Sequence, residues 1–283
     1  MENNDTKAVS VIITWCNRPE IETFLAHNGP EFNSVDAEVI VMNCSGDSEA
    51  LAAAIKRSGY QGVRQIDIAM PKFNKCVAIN LGVHLSHGQT IFMNDTDMLL
   101  DSGFLKQAVS LVSASNYVTV ERVVEKEGTE ATPSYLMIMS QTTEFTCRDG
   151  RIIRFENERI YLDDNSRVGY GQVVVRKEDF LAAGGMNSQL QGWGYEDQDL
   201  HLRLNAVHGL TVVRVGRATH LTHGDNKRDL VGETKSESHR RNLAIGYDNY
   251  ARGNFMGTYA ADVAQWSERS SERVAVTEEV LTY

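Results

Sequence analysis

Alternation of strand-like and helix-like segments constrains the fold of this 283-residue chain more than any other feature of its sequence. Through the first half, short runs rich in β-branched residues alternate with amphipathic segments, and the connections between them are short. The predicted strands are residues 8–15, 37–44, 62–69 and 90–94, and the predicted helices are residues 19–27, 48–59, 74–88 and 103–113. This order predicts right-handed βαβ units, and hence an α/β fold with a mixed, mostly parallel sheet flanked by helices.

The second half of the chain is less regular. Further strand-like runs are residues 117–125, 134–141, 171–176 and 210–216. Residues 142–169 are charged and rich in turn formers, so we expect a mobile excursion that orders over a site when its ligand binds. From residue 233, charged and aromatic residues mix with glycines, which indicates broken helices. We therefore predict a single α/β domain over residues 1–232, with a C-terminal helical extension over residues 233–283 that packs on the domain or extends from it.

The charge and the cysteines limit the class of protein. A formal net charge of −10 disfavours a general nucleic-acid binder, because that role needs a basic face. We expect reduced, structural thiols, since the cysteines form no CxxC pair; they are Cys16, Cys44, Cys76 and Cys147. No run is apolar enough to span a membrane, and no signal-peptide pattern is present. We expect a cytoplasmic protein, with contact to a membrane surface or a homo-oligomer through the C-terminal segment as further options.

The sequence "NDTD" places Asp95 and Asp97 directly after an apolar strand. In open α/β sheets, ligands bind beyond the carboxyl ends of the strands. At alternate positions two carboxylates can converge on one side, where they suit a hard cation such as Mg²⁺ or Mn²⁺. A D-x-D pair is also typical of one aspartate that caps a turn and another that is solvated, so the motif alone does not decide.

The segment "HLTHGDNKR" contains His220 and His223. A neutral imidazole is a suitable ligand for Mn²⁺ and could complete a set begun by Asp97. Either histidine alone is better interpreted as a packed or surface residue. Together with the aspartates, the two histidines favour a metal site.

The segment "PKFNKCVAINLG" sets Phe73 and Lys75 at the start of a helix. An aromatic ring there can stack on a flat base, and an ammonium group can meet phosphate or base oxygens. The alternative is that Phe73 packs as a hydrophobic staple and Lys75 points into water.

The segment "GWGYED" joins flexible glycines to Trp193, Glu196 and Asp197. The glycines permit close backbone approach, and the indole offers an apolar face to a sugar ring. Glu196 or Asp197 could accept a proton from an attacking hydroxyl. The alternative is a core tryptophan followed by acids that complement the amides at a helix start.

Taken together, these motifs resemble the nucleotide-sugar glycosyltransferases of the GT-A (Rossmann-like) fold. "SVIITWCNRPE" resembles the opening strand of the large inverting family 2. "FNKCVAINLG", "NDTD", "GWGYEDQDL" and "HLTHGDNKR" follow in the order and approximate spacing of β-1,4-galactosyltransferases and bacterial chondroitin-polymerase-type domains. The resemblance covers about residues 9–228.

The resemblance implies a role for each matching residue. Asp197 would be the catalytic base, with Glu196 orienting the acceptor hydroxyl. The implied metal ligands are Asp97 and His223, with His220 as the alternative histidine. The implied acceptor-binding residues are Trp193, Gly194 and Tyr195. The implied donor-binding residues are Thr14, Asn17, Arg18, Asn43, Phe73, Lys75, Asp95 and Thr96, with Phe73 and Lys75 holding the uracil.

Two positions depart from the family pattern. Asn43 stands where many members have an aspartate that binds uracil, and Tyr195 stands where they often have glycine, which we expect to narrow the acceptor site. The resulting hypothesis is an inverting transferase dependent on Mn²⁺ or Mg²⁺. It would move a sugar from a UDP-sugar to a glycan, lipid-linked, peptide or small-molecule acceptor, as in polysaccharide biosynthesis. The alternatives are a retaining transferase of the N-acetylgalactosaminyl type and a non-catalytic nucleotide-sugar-binding module.

Overall fold

The computed structural model describes residues 8–126, 136–224, 232–270 and 278–280. Its strands are β1 (Val9–Trp15), β2 (Glu38–Cys44), β3 (Val63–Ile68), β4 (Thr90–Asn94), β5 (Met98–Leu100), β6 (Asn116–Glu125), β7 (Ile138–Thr146), β8 (Ile152–Tyr161), β9 (Ser166–Arg176), β10 (Thr211–His220) and β11 (Glu278–Val280). Its helices are α1 (Ile21–Asn33), α2 (Ser48–Ser58), α3 (Lys75–Leu85), α4 (Phe104–Leu111), α5 (Lys177–Ala182), α6 (Glu196–Leu202), α7 (Lys235–Ala251) and α8 (Tyr259–Ser270). A π-helical turn, Arg203–Val207, continues α6.

The strands form one mixed sheet in the order β11-β3-β2-β1-β4-β9-β6-β10-β5. Strand β1 pairs in parallel with β2 and β4, and β2 pairs in parallel with β3. Strand β9 runs antiparallel between β4 and β6, while β6 and β10 are parallel. Beyond this path, β8 pairs with β9, and β7 pairs with β8. The βαβ order predicted for the first half of the chain is confirmed.

Apolar residues on both faces of the sheet explain why the central strands are continuous apolar runs. Val11 and Ile13 of β1 belong to the core cluster that also contains Phe24 of α1, whereas Ile12 belongs to the opposite cluster with Leu81 of α3. Successive strand residues point to opposite faces, so one strand contributes to both cores. The carboxyl ends of β1 to β4 therefore share one edge of a rigid platform.

Two segments differ from the sequence predictions. Helix α1 extends to Asn33, through Pro30, because Phe32 is buried beside Phe24 in the core. The expected excursion over residues 142–169 is wrong as secondary structure, since these residues form most of β7, all of β8 and the start of β9. In β8 the alternating Ile153 and Phe155 are buried, while Ile152 and Arg154 between and beside them are exposed. Ordering of this segment on ligand binding stays a prediction.

A buried ion pair joins α6 to its surroundings. Arg203 and Asp199 are each only 1% exposed, and Arg203 Nη2 lies 2.7 Å from Asp199 Oδ2. The same guanidinium donates to the backbone oxygens of Ala183 and Gly185. The hydroxyl of Tyr250, on α7, donates to the other oxygen of Asp199. This network connects α6 to the loop after α5 and to the C-terminal helices.

Replacing Arg203 by leucine should lower the free energy of unfolding by about 3–5 kcal/mol, because Asp199 would remain buried without its counter-charge. Denaturant titration of the whole chain measures the change. The control is Arg252→Leu, since Arg252 pairs with Asp248 at 2.7 Å but is 63% exposed; we expect a loss of about 0–1 kcal/mol there. Equal, small losses in both variants would contradict a structural role for the buried pair.

Candidate active site

A cleft of about 1610 Å³ lies beyond the carboxyl ends of β1 to β4. Most of the residues singled out in the sequence line it: Thr14, Asn17, Arg18, Phe73, Lys75, Asp95, Thr96, Asp97, Trp193, Gly194, Tyr195, Glu196, Asp197 and His220. His223 joins them through Asp97, since its Nε2 lies 3.0 Å from Asp97 Oδ2. Asn43 does not line the cleft, because its side chain hydrogen-bonds to Gly46, in the loop after β2, and to Asp67, on the neighbouring strand β3.

The pairing of β5 with β10 brings Asp97 together with His220 and His223. Strand β5 is antiparallel to β10, with Met98 opposite His220, so Asp97 and His220 become neighbours. The ligand atoms of Asp97, His220 and His223 all lie within 4.8 Å of one another. One carboxylate oxygen and two imidazole nitrogens suit Mn²⁺, so the predicted metal ligands fit the ion.

The charges around Asp97 keep it ionised. Burial opposes this, but hydrogen bonds from His220 and His223 and the charge of Arg18 hold the pKa of Asp97 well below its usual range. Arg18 Nη2 lies 2.8 Å from Asp97 Oδ2. Burial likewise opposes protonation of His220, but hydrogen bonds to Asp97 and Glu125 raise its pKa to about 9. Asp97 is therefore held in its carboxylate form, which is the form that can bind a cation.

The ammonium group of Lys75 connects a second cluster of charged residues, which contains Asp95 and Asp197. Lys75 Nζ lies 3.0 Å from Asp95 Oδ1 and 3.1 Å from Asp197 Oδ1. Asn74 fixes the lysine at the start of α3, because its Oδ1 accepts hydrogen bonds from the amides of Cys76 and Val77. Burial disfavours the charge on Lys75, yet Asp197 and Asp95 raise its pKa well above the usual value. Lys75, expected from the resemblance at the uracil, here contacts two carboxylates.

Gly171 leaves the space in which this ion-paired group fits. A Cβ at position 171 would lie 2.7 Å from Asp95 Oδ2 and 3.2 Å from Asp197 Oδ2. Gln172, the next residue of β9, donates from Nε2 to Asp95 Oδ2 at 3.2 Å. Strand β9 therefore forms the wall against which both carboxylates are held.

Glu196 and Asp197 are adjacent but differ in environment. Burial, followed by the charge of Asp197, raises the pKa of Glu196 to about 7. Its Oε2 atom is buried and has no hydrogen-bond partner among the residues that the structure describes. Burial also raises the pKa of Asp197, but the charge of Lys75 and its hydrogen bond oppose that rise. The direct ion pair favours the negative charge on Asp197, and Glu196 is the residue of the two that takes up a proton as the pH falls through about 7.

Helix α7 holds the backbone of the Gly-Trp-Gly-Tyr segment, residues 192–195. Ser238 and Asn242 are completely buried on one face of the helix. The Trp193 amide donates to Ser238 Oγ at 2.9 Å, and Asn242 Nδ2 donates to the Gly194 oxygen at 2.8 Å and to the Gln191 oxygen at 3.0 Å. Sequence reasoning missed these residues. The available signal was their spacing of four, continued by Gly246 and Tyr250, which marks one helical face.

Tyr195 does not narrow the cleft in the way its size predicts. Its ring is only 1% exposed and packs on Gly246, where a Cβ would lie 2.6 Å from the ring. Its φ of 75° is in the left-handed region, which glycine adopts without strain. The expectation of a smaller acceptor site is therefore wrong, because α7 provides the space for this ring.

The turn after β1 forms a further part of the cleft lining. Asn17 has φ of 51°, which asparagine tolerates, and its Oδ1 accepts a hydrogen bond from the Asp47 amide at 2.8 Å. Thr14 and Thr96 are buried beside it, and Phe73 is half-buried against the core. These residues surround a space large enough for a ligand between the metal cluster and the loop after β3.

Comparison with known proteins agrees with this layout. A sequence model of the N-terminal domain of galactosyltransferase matches residues 151–224. None of the curated proteins matches the sequence. The structure of GalNAc-T7 with UDP, GalNAc and Mn²⁺ is 13% identical with a TM-score of 0.54, and covers 88% of this chain and 50% of that chain. The structure of S. aureus TarS 1–349 with UDP-GlcNAc is 15% identical with a TM-score of 0.52, and the match covers 84% of this chain and 66% of that chain.

These matches identify the fold. The chain spans about half the length of the GalNAc-T7 chain it resembles. It has the GT-A fold shared by these glycosyltransferases, so the predicted fold class is confirmed. The sequence match covers well under half of the chain, but it includes the Gly-Trp-Gly-Tyr-Glu-Asp segment and both histidines. Among the described helices, none combines the length and apolarity that a membrane span requires.

The raised pKa of Glu196 predicts a pH-dependent stability. The folded state keeps a proton on Glu196 up to a pKa of about 7, whereas the ordinary value is 4.5. This group's stabilising effect is therefore present below pH 4.5 and is lost as the pH rises through 7. Glu196→Gln mimics the protonated form, so it should be more stable than the wild type above pH 7, by roughly 1–3 kcal/mol. Thermal unfolding across this pH range measures the gap, which should close in acid; a gap independent of pH would contradict the assignment.

Proposed function

We propose that the chain is a metal-dependent, inverting glycosyltransferase that moves a sugar from a UDP-sugar to an acceptor hydroxyl. The observation that carries this proposal is the single cleft containing both the Asp97, His220 and His223 cluster and the ion-paired Asp95, Lys75 and Asp197. The GT-A fold and the match to galactosyltransferase support the transferase class. UDP or a UDP-sugar is present in the GalNAc-T7 and TarS structures named above, which supports the choice of donor.

The metal cluster is proposed as the diphosphate side of the site. Asp97, His220 and His223 would hold Mn²⁺ or Mg²⁺, which when bound neutralises charge on the diphosphate. Arg18 lies against Asp97 at 2.8 Å and adds a fixed positive charge on the same side. Thr14, Asn17 and Phe73 would form the nucleotide-binding part of the cleft.

Asp197 is proposed as the general base. The acceptor oxygen forms a bond to the anomeric carbon while the bond from that carbon to the diphosphate oxygen breaks, and UDP departs. The proton of the attacking hydroxyl passes to Asp197. Lys75 keeps Asp197 ionised before the reaction and, through Asp95, fixes its orientation. General-base help of this kind contributes roughly 10²–10⁴-fold.

Glu196 is proposed to orient the acceptor. It is buried, its pKa is about 7, and its Oε2 has no hydrogen-bond partner within the described part of the chain, so its protonated form can donate a hydrogen bond to an acceptor hydroxyl. In this division of roles, Asp197 acts as the ionised carboxylate and Glu196 acts in its protonated form. A retaining transferase of the N-acetylgalactosaminyl type is the alternative enzyme, but an ionised, lysine-paired aspartate beside the acceptor space favours inversion. A binding module would have no need for this pair of carboxyl groups.

Two substitutions separate the proposed base from the proposed metal ligand. Asp197→Asn should reduce Mn²⁺-dependent release of UDP from UDP-sugars by about 100-fold or more, because no base remains, while UDP still binds in the presence of Mn²⁺. Asp97→Asn should lose both UDP release and Mn²⁺-dependent UDP binding. UDP release is measured with a panel of UDP-sugars, and UDP binding by calorimetry.

The control for these substitutions is Asp248→Asn. Asp248 is 51% exposed on α7 and pairs with Arg252 outside the cleft, so its variant should match the wild type in both measurements. Near-normal UDP release by Asp197→Asn would contradict the assigned base. Absence of turnover by the wild type with every UDP-sugar would contradict the enzyme itself.

A further inference from the structure

The cleft continues past the two carboxyl groups into a wall built by α7 and by strands β7 and β8. Its volume of about 1610 Å³ exceeds the ~300–1000 Å³ of an ordinary small-molecule site. The residues of β7, β8 and α7 that line this wall include Gln141, Thr143, Asn157, Lys235, His239 and Leu243. The cleft thus has room for a donor and for a substantial acceptor beside it.

Helix α7 has two adjacent rows of residues, called stripes here, of which one is buried and the other lines the cleft. The buried stripe, Ser238, Asn242, Gly246 and Tyr250, holds the Gly-Trp-Gly-Tyr segment and α6 in place. The neighbouring stripe faces the cleft and contains Lys235, His239, Leu243 and Tyr247. Because one stripe is fixed to the backbone beside Trp193, the other is held in a defined position relative to Glu196 and Asp197. Helix α7 therefore belongs to the acceptor side of the site.

The charges on this wall are mainly positive. The chain carries a formal net charge of −10, so an excess of basic groups at one place runs against its overall charge. Among the described residues that line the acceptor side, the basic ones are Arg159, Arg167, Lys235 and Arg240, and the acidic ones outside the Glu196–Asp197 pair are Glu125 and Glu158. A local excess of positive charge in a cleft attracts and orients anions.

The partners of Arg159 and Arg167 leave the charges of these two arginines only partly neutralised. Arg159 pairs with Glu156, but Arg214 pairs with the same carboxylate at 2.6 Å. Arg167 lies 3.8 Å from Glu125, a distance too long for a direct hydrogen bond, and is 47% exposed.

Two more cations stand on α7 itself. Lys235 Nζ lies 4.2 Å from the centre of the Trp193 ring, so a cation covers the proposed sugar platform. Arg240 is exposed at the rim of the same cleft. An acceptor that stacks near Trp193 would meet these positive charges.

We propose that α7, together with β7 and β8, forms an acceptor subsite that takes a negatively charged acceptor, with its carboxylate or phosphate groups meeting Lys235, Arg240 and Arg167. Arginine recognises both kinds of anion by paired hydrogen bonds, so the two share one chemistry here. The inference rests on the proposed function, since it assigns the acceptor class of that same site. It makes α7 a determinant of acceptor specificity as well as a part of the fold.

The test uses the whole chain with UDP and Mn²⁺ and three probes of equal chain length. They are a hyaluronan oligosaccharide carrying carboxylates, a glycerol phosphate oligomer carrying phosphodiesters, and a neutral chito-oligosaccharide. Calorimetry should show at least one anionic probe binding about tenfold more tightly than the neutral probe, and weakening as salt is raised. Which anionic probe binds distinguishes carboxylate from phosphate.

Variants decide whether α7 is responsible. The double variant Lys235→Gln, Arg240→Gln should weaken binding of the anionic probe about tenfold and leave the neutral probe unchanged, whereas Arg252→Gln, on the exposed side, should bind like the wild type. Equal binding of all three probes, no binding of either anionic probe, or an unaffected double variant would overturn the proposal. UDP binding and UDP release in the same samples report on the proposed function separately, because a failed subsite leaves both intact.

Discussion

The ion-paired ammonium of Lys75 is the interaction on which the rest of the site depends. It lies between Asp95, at the end of β4, and Asp197, in the first turn of α6, and so joins two segments that are 102 residues apart. Without it, the partly buried carboxylates of Asp95 and Asp197 and the adjacent Glu196 would repel one another. With it, one aspartate is charged and fixed in place. The sheet, the Asn74 cap and Gly171 all serve to hold this group in position.

The topology explains how distant segments meet. The parallel strands β1 to β4 end at one edge, which supplies the turn after β1 and the two aspartates after β4. The antiparallel pairing of β5 with β10 then places His220 beside Asp97. On the opposite side, the buried stripe of α7 holds the segment that carries Trp193. The metal cluster and the carboxyl pair are therefore fixed by separate parts of the fold around one cleft.

Much of this arrangement could be predicted from the sequence, because strand and helix periodicity and the order of motifs are local signals. The alternating first half and the cluster of Asp97 with two histidines fall in this class. Other features depend on tertiary contacts. Charged residues in β8 make this strand look like a polar loop in the sequence, although its Ile153 and Phe155 are buried. Ser238 and Asn242 are polar and would be expected to face solvent, but they are buried because they hydrogen-bond to the segment beside Trp193. Likewise, no pattern indicates that Lys75 contacts carboxylates, since that depends on how α3 and α6 approach each other.

The central claim is that Asp197 removes a proton from an acceptor that attacks opposite to the departing UDP. The most direct test is the configuration of the newly formed product, read from the coupling constant of its anomeric proton by NMR early in the reaction with an α-linked UDP-sugar. The account predicts a β-configured product. An α-configured product would contradict it, because retention excludes a single displacement assisted by this aspartate.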